Sequence, residues 1–129
     1  MDDLAVIVVS TNEASWLRAC LASVFAHRGA CALDVVVADN ESTDGTAELV
    51  RDEFPDARVV RCANRGFAHA NNRALMTTDA RYVLFLNPDT EVREGTFEGL
   101  VDYLDAHADI GLPGVIRLTP EGEIYPTIR

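Results

Sequence analysis

Two carboxylates and several amides stand where apolar runs stop. Asp39 follows Leu33-Asp34-Val35-Val36-Val37-Ala38, and Asp89 closes Asn87-Pro88-Asp89 after Tyr82-Val83-Leu84-Phe85-Leu86. Ser10-Thr11-Asn12 and Asn64-Arg65-Gly66 end two further runs in the same way. A carboxylate so placed can accept a hydrogen bond from the edge of a heterocyclic base, the chemistry open to Asp39. It can also hold Mg2+ or Mn2+, which prefer carboxylate oxygen and bridge to phosphates, the chemistry open to Asp89. Each cluster alone has a plainer reading. Ser10 and Asn12 fit as helix caps, and Thr43-Asp44-Gly45 fits better as a turn with a cap than as a ligand contact. Asn71 and Asn72 are poor helix formers side by side and fit a site better than a solvated helix face. Arg65 is the one cation on this rim, a natural partner for a diphosphate or a base. One polar strand end is ordinary; four on one rim indicate a site.

The elements that position these groups follow from hydrophobic periodicity. Leu4-Ala5-Val6-Ile7-Val8-Val9 and Tyr82 to Leu86 are short continuous apolar runs, the pattern of strands buried on both faces. The second is expected to be central in its sheet and to stop at Pro88, which cannot continue a ladder. Leu33 to Ala38 and Ala57 to Cys62 read as two more strands. Leu17, Cys20, Leu21, Val24 and Phe25 share a helical stripe that Gly29 stops. Leu49, Val50 and Phe54 mark a second helix, broken by Pro55-Asp56. A third runs from about Phe67 to Met76, and a fourth carries Phe97, Leu100, Val101 and Leu104 on one face. Residues 110–129 read as a strand or hairpin around Pro120-Glu121-Gly122-Glu123. Strands alternating with helices give a mostly parallel central sheet flanked by helices, with right-handed crossovers, an α/β fold. The expected order sets the first strand between the second and the fourth. Asp39 and Asp89 then lie two strand spacings apart, about 10 Å.

Composition narrows the function. A chain of 129 residues holds one domain and a real core. Its 11 basic and 21 acidic side chains leave a net charge of −10, so no basic field attracts nucleic acid. An anionic ligand must be met by local donors or a cation. No apolar run approaches the roughly 20 residues of a membrane span. Met1-Asp2-Asp3 leads straight into a strand, unlike a secretory signal. Cys20, Cys31 and Cys62 have no Cys-x-x-Cys pairing and read as reduced thiols in a cytoplasmic setting, with Cys20 in the core.

Motifs exclude more. The turn Ser10 to Ser15 has no glycine, against a dinucleotide fingerprint, and no Gly-Lys-Ser or Gly-Lys-Thr is present for a Walker loop. The loop from Asn40 has Arg51 where a calcium loop needs a bidentate Glu. His27, His69 and His107 lack zinc spacing, and no Gly-x-Ser-x-Gly elbow occurs. A nucleotidyltransferase is disfavoured because the first turn lacks a Gly-rich basic loop. A glycine-poor acidic rim suits a nucleotide whose diphosphate is neutralised by a divalent cation.

Four pieces in register then carry a resemblance: Val8-Val9-Ser10-Thr11-Asn12, Val37 through Thr46, Asn64-Arg65-Gly66-Phe67-Ala68-His69-Ala70-Asn71-Asn72, and Leu84-Phe85-Leu86-Asn87-Pro88-Asp89-Thr90. Across most of residues 4–118 the chain resembles the amino-terminal half of family 2 glycosyltransferases of the GT-A fold, especially their rhamnosyltransferase-like branch. The resemblance implies an inverting, metal-assisted sugar transfer from a nucleotide-diphosphate sugar to a glycan or lipid-linked acceptor. It implies that Ser10, Thr11 and Asn12 line the nucleoside pocket and that Asp39 reads the base. Asn64, Arg65, Gly66 and Asn72 then lie along the donor site. Asn87-Pro88-Asp89 stands for the family's Asp-x-Asp-like motif, making Asp89 the ligand for Mg2+ or Mn2+, with Asn87 in place of the first acid. Gly111-Leu112-Pro113-Gly114 departs from the family's usual Gly-x-x-Gly-Pro order. The family continues for about a further domain with the acceptor site and catalytic base. Nothing in the spacing of Glu41, Asp44 or Glu91 marks a base here, and none is assigned. Residues 1–129 are thus expected to be a single donor-binding domain, cytoplasmic or peripheral at the inner membrane face. The competing expectation is a non-catalytic nucleotide-sugar-binding module that self-associates through the surface left by the missing half.

Overall fold

In the computed structural model, residues 1–107 and Asp109 are described. The order along the chain is β1 (Leu4–Ser10), α1 (Ala14–Ala26), β2 (Leu33–Asn40), α2 (Thr46–Glu53), β3 (Ala57–Cys62), α3 (Phe67–Leu75), β4 (Tyr82–Leu86) and α4 (Thr96–Ala106). The four strands form one sheet in the order β3-β2-β1-β4, and every pairing is parallel. The first strand therefore lies between the second and fourth, as the alternation of elements implies. The hairpin expected around Pro120 to Glu123 lies outside the described residues, as does Gly111 to Gly114.

Burial follows the apolar runs. All seven residues of β1 are buried, because helices cover both faces of the sheet. On one face Leu4, Val6 and Val8 meet Leu17, Cys20, Leu21 and Val24 of α1, Val50 of α2 and Phe97 and Val101 of α4. On the other, Ile7, Val9, Val36 and Ala38 meet Ala70 and Ala74 of α3. The small alanines let that helix approach the strands closely.

Two details depart from the sequence reading. Strand β2 runs two residues further than its apolar stretch, through Asp39 and Asn40. Ser10 on β1 and Arg61 and Cys62 on β3 give these two residues ladder partners. The larger departure is β4. It was expected to be central and buried on both faces, yet it is an edge strand among the described residues. Four of its residues are only half-buried, and Phe85 is 45% exposed. The cause is coverage: α3 packs against β1, β2 and β3, while Phe85 pairs in register with Ile7 one strand beyond that cover.

Helix boundaries agree closely with the punctuation. Helix α1 ends at the His27 cap, ahead of Gly29 at φ 62°, and α2 ends at Phe54 before Pro55. Phe97, Val101 and Leu104 of α4 are buried.

The two phenylalanines provide a calibrated test. Phe97→Ala, removing a fully buried ring, is expected to cost about 3–5 kcal/mol in urea unfolding. Phe85→Ala is expected to cost about 1 kcal/mol or less. Equal losses would show that the outer face of β4 is covered in solution.

Candidate functional site

The rim at the carboxyl ends of the strands is assembled by loops that bond to one another. The loop after β1 and the loop after β2 are stitched together. The Asn12 N–H donates to Ser42 Oγ at 2.9 Å, and the Thr43 N–H donates to Asn12 Oδ1 at 2.8 Å. Ser42 Oγ in turn donates to the Ser10 carbonyl at 3.4 Å. Asn12 (φ 53°) and Glu41 (φ 55°) are both left-handed, a conformation Asn tolerates and Glu adopts at a cost. Asp44 joins two helices: one oxygen accepts from the Ala14 N–H at 3.0 Å at the start of α1, the other from the Thr46 N–H at 3.2 Å at the start of α2. Thr46 Oγ1 donates to it as well. That hydroxyl, more than the two amides, holds the Asp44 carboxyl below the usual carboxylate range. Asp44 therefore ties the starts of α1 and α2 together from the turn before Gly45, and both its oxygens are engaged.

The turn that presents Asp89 is held just as firmly. Asn87-Pro88-Asp89-Thr90 closes with the Thr90 N–H donating to the Asn87 carbonyl at 3.2 Å, with proline at the second position. Thr90 Oγ1 donates to the same carbonyl at 2.7 Å, and the Cys20 thiol approaches it at 3.7 Å from α1. Burial pushes the Cys20 thiol up to about 11, so it stays protonated and able to donate. Three residues along α1, Ser23 Oγ accepts from the Val92 N–H at 2.9 Å. Pro88 is buried, and Asn87 and Asp89 face solvent.

Over this rim lies a cleft of about 510 Å3. Of the residues singled out in the sequence, Thr11, Asn64, Gly66, Asn87 and Asp89 line it. Asn40, Glu13, Phe67, Val9 and Pro88 line it too, and were not singled out as ligand-contacting. For Asn40 the signal was two-residue periodicity: it follows Val36 and Ala38 on the face that α3 covers. For Phe67 and Glu13 it was adjacency, one residue beyond Gly66 and Asn12. The remaining candidates lie elsewhere. Ser10 and Asp39 are register partners on the opposite face of the sheet, 0% and 1% exposed. The Asn12 side chain is occupied by Thr43, and Arg65 and Asn72 are solvent-exposed.

Unpaired polar atoms mark the site more sharply than its outline does. Among the described residues, Ser10 Oγ, Asp39 Oδ2, Asn40 Oδ1 and Asn71 Oδ1 are buried without a hydrogen-bond partner. Buried polar atoms are normally satisfied, and an orphan costs about 1–3 kcal/mol. Asp39 Oδ1 accepts from the Ser42 N–H at 3.1 Å. Arg61 Nε stands 3.6 Å from Oδ2, near enough for attraction and too far for a hydrogen bond. Asn40 Nδ2 donates to Asn64 Oδ1 at 3.0 Å, leaving its own oxygen free.

The charge in the cleft is acidic. Among the described residues that line it, Glu13 and Asp89 are carboxylates and none is Lys or Arg. No group of three His, Cys, Asp or Glu side chains able to enclose a metal ion occurs among the described residues. Asp89 is therefore a one-carboxylate position, with the Asn87 amide beside it. That donor set suits a hard cation whose remaining ligands come from phosphate and water.

A parallel sheet with a polar cleft across its carboxyl rim is an architecture for nucleotide binding. The chain belongs to glycosyl transferase family 2, whose model matches residues 5–127. An N-acetylglucosaminyl-diphospho-decaprenol L-rhamnosyltransferase of Mycobacterium tuberculosis is 30% identical over 140 residues, covering 99% of this chain and 45% of that protein. The succinoglycan biosynthesis protein ExoO of Rhizobium meliloti is 31% identical over 107 residues, covering 81% of this chain and 30% of its own. Among solved structures, S. aureus TarS in complex with UDP superposes with a TM-score of 0.74 at 25% identity, covering 82% of this chain and 33% of that one. The mannosyltransferase PcManGT from Pyrobaculum calidifontis, in complex with GDP-Man and Mn2+, gives 0.69 at 30% identity, covering 84% and 33%. The fold is that of GT-A glycosyltransferases. The chain spans less than half the length of these relatives.

Asp44 yields a pH prediction. Its folded-state pKa is depressed, so its contribution is present above its ordinary value of 3.8 and is lost as pH falls through the lower folded value. Asp44→Ala is expected to cost about 1–2 kcal/mol at pH 7, as two helix starts lose an acceptor. The gap in urea midpoint between wild type and variant should narrow at acid pH. A gap that stays constant as pH falls would sink this account of Asp44.

Proposed function

We propose that this chain is the donor-binding half of an inverting, metal-assisted glycosyltransferase that uses a nucleotide-diphosphate sugar. The observation that carries the reading is the cleft itself. Asp89 and Asn87 are presented on a braced turn at one side, and unpaired amide and carboxylate oxygens are buried at the neighbouring strand ends.

Roles follow from chemistry and position. Asp39, whose Oδ2 has no hydrogen-bond partner among the described residues, accepts from a base N–H. Thr11 and Asn12 border the nucleoside, with Asn12 acting through the loop it braces. Asn64, Arg65, Gly66 and Asn72 lie along the path of the donor. Asp89 holds the divalent cation, which when bound neutralises the diphosphate and its charge on departure. The acidic lining makes such a cation necessary, since a bare diphosphate would be repelled. In an inverting displacement the acceptor hydroxyl attacks the anomeric carbon opposite the leaving diphosphate while a carboxylate takes its proton. We place that base, and the site for a glycan or lipid-linked acceptor, in a further part of the protein. UDP on S. aureus TarS, and GDP-Man with Mn2+ on PcManGT, support the donor class. The decaprenol in the name of the mycobacterial relative supports a lipid-linked acceptor. No described helix is long and apolar enough to cross a membrane.

Calorimetric titration with UDP, dTDP and GDP, with and without Mn2+, tests the donor site. One diphosphate is expected to bind with Mn2+, and Asp89→Ala should abolish the metal-dependent part while leaving the urea midpoint unchanged. If no diphosphate binds the wild type with Mn2+ present, the reading fails.

A further inference from the structure

The face of the sheet that α1 and α2 cover changes character at its last row. Across β1, β2 and β3 the register sets three rows on that face: Val6-Val35-Ala57, Val8-Val37-Val59 and Ser10-Asp39-Arg61. The first two rows belong to the apolar core. The third puts a hydroxyl, a carboxylate and a guanidinium in the corresponding places. Strands lie about 5 Å apart, so Asp39 has Ser10 on one side and Arg61 on the other. Ser10 and Asp39 are buried, whereas the Arg61 side chain is 54% exposed. A carboxylate taken out of water is costly unless charge or hydrogen bonds replace its hydration. The Ser42 N–H serves Oδ1 at 3.1 Å, and the Ser10 hydroxyl makes no hydrogen bond. Among the described residues Arg61 is the one cation in ion-pair reach of Asp39, with Nε 3.6 Å from Oδ2. That spacing gives attraction and still leaves Oδ2 without a hydrogen bond.

We propose that Arg61 is a positioning residue for Asp39, offsetting its buried charge and anchoring the carboxylate with Oδ2 open to a ligand N–H. The inference rests on the reading of Asp39 as the acceptor for the base, and it names the residue on which that role depends. Arg61 acts through Asp39 and touches no part of the ligand. With the Ser42 N–H on one oxygen and the guanidinium beside the other, the carboxyl plane is fixed at two points. Without Arg61, the carboxylate is free to turn and take the unpaired Ser10 hydroxyl of the same row as its donor. Oδ2 is then no longer open. The apolar alternative at this position, a third valine row, would pack better and bind nothing.

The test is a double-variant cycle read by calorimetry on the whole 129-residue chain with Mn2+. UDP, dTDP and GDP are titrated, and the one that binds the wild type is carried through the series. Arg61→Ala and Arg61→Gln should each weaken it about tenfold, the loss of one charge-assisted hydrogen bond. Arg61→Lys, which keeps the charge, should recover most of that loss. Asp39→Asn should weaken binding by a similar factor, and adding Arg61→Ala to it should cost nothing more, because both act through one carboxylate. Every variant should still unfold cooperatively in urea, so that the losses belong to folded protein. Unchanged binding in Arg61→Ala, no recovery in Arg61→Lys, or losses that multiply in the double variant overturn the positioning role while donor binding stands. If no nucleoside diphosphate binds the wild type, the donor-site reading fails and the role of Arg61 fails with it.

Discussion

Parallel pairing along β1 is the constraint on which the rest depends. A parallel neighbour can be reached only by crossing over the sheet, so each crossover lays a helix on one face. With helices on both faces, Leu4 to Val9 are buried throughout and nothing polar is tolerated along them. The same geometry returns every strand in one direction. All four strand-to-helix loops therefore emerge at a single rim, and the polar residues excluded from the sheet collect there. The cleft is a consequence of the sheet, present before any particular ligand is considered.

At that rim the usual satisfaction of buried groups gives way. Within the sheet β1 and β2 are laddered on both sides, and in the loops Asn12, Ser42, Asp44 and Thr90 are all bonded. The orphans fall at Ser10, Asp39 and Asn40, the last residues of β1 and β2, and at Asn71 on the neighbouring helix. Stability alone would favour apolar or paired groups in those places. Leaving acceptors unsatisfied makes sense where something else arrives to satisfy them.

Much of this was legible in the sequence. Continuous apolar runs gave the strands, helical spacing gave the faces of α1 and α4, and the alternation gave a parallel sheet with β1 inside. The four polar stops gave the rim. What sequence could not supply was which face each rim residue occupies. Asp39 and Asn40 are adjacent, so pleating sends them to opposite faces, and the one singled out is not the one lining the cleft. Nor could it tell that the Asn12 amide is taken up by Thr43, since that bond joins loops 31 residues apart. The burial of β4 was misjudged for a related reason. An apolar run records what a strand can tolerate, while coverage depends on where the neighbouring helix ends.

Helix α1 touches both flanks of the rim. Its first turn is held by Asp44 from the β2 loop, and Cys20 and Ser23 on its inner side hold the turn that presents Asp89. The two flanks are thus mounted on one rigid rod rather than on independent loops. A ligand entering between them finds their separation already set and need not order either side. Its entropic cost of binding is correspondingly small, and its fit is decided by shape more than by closure.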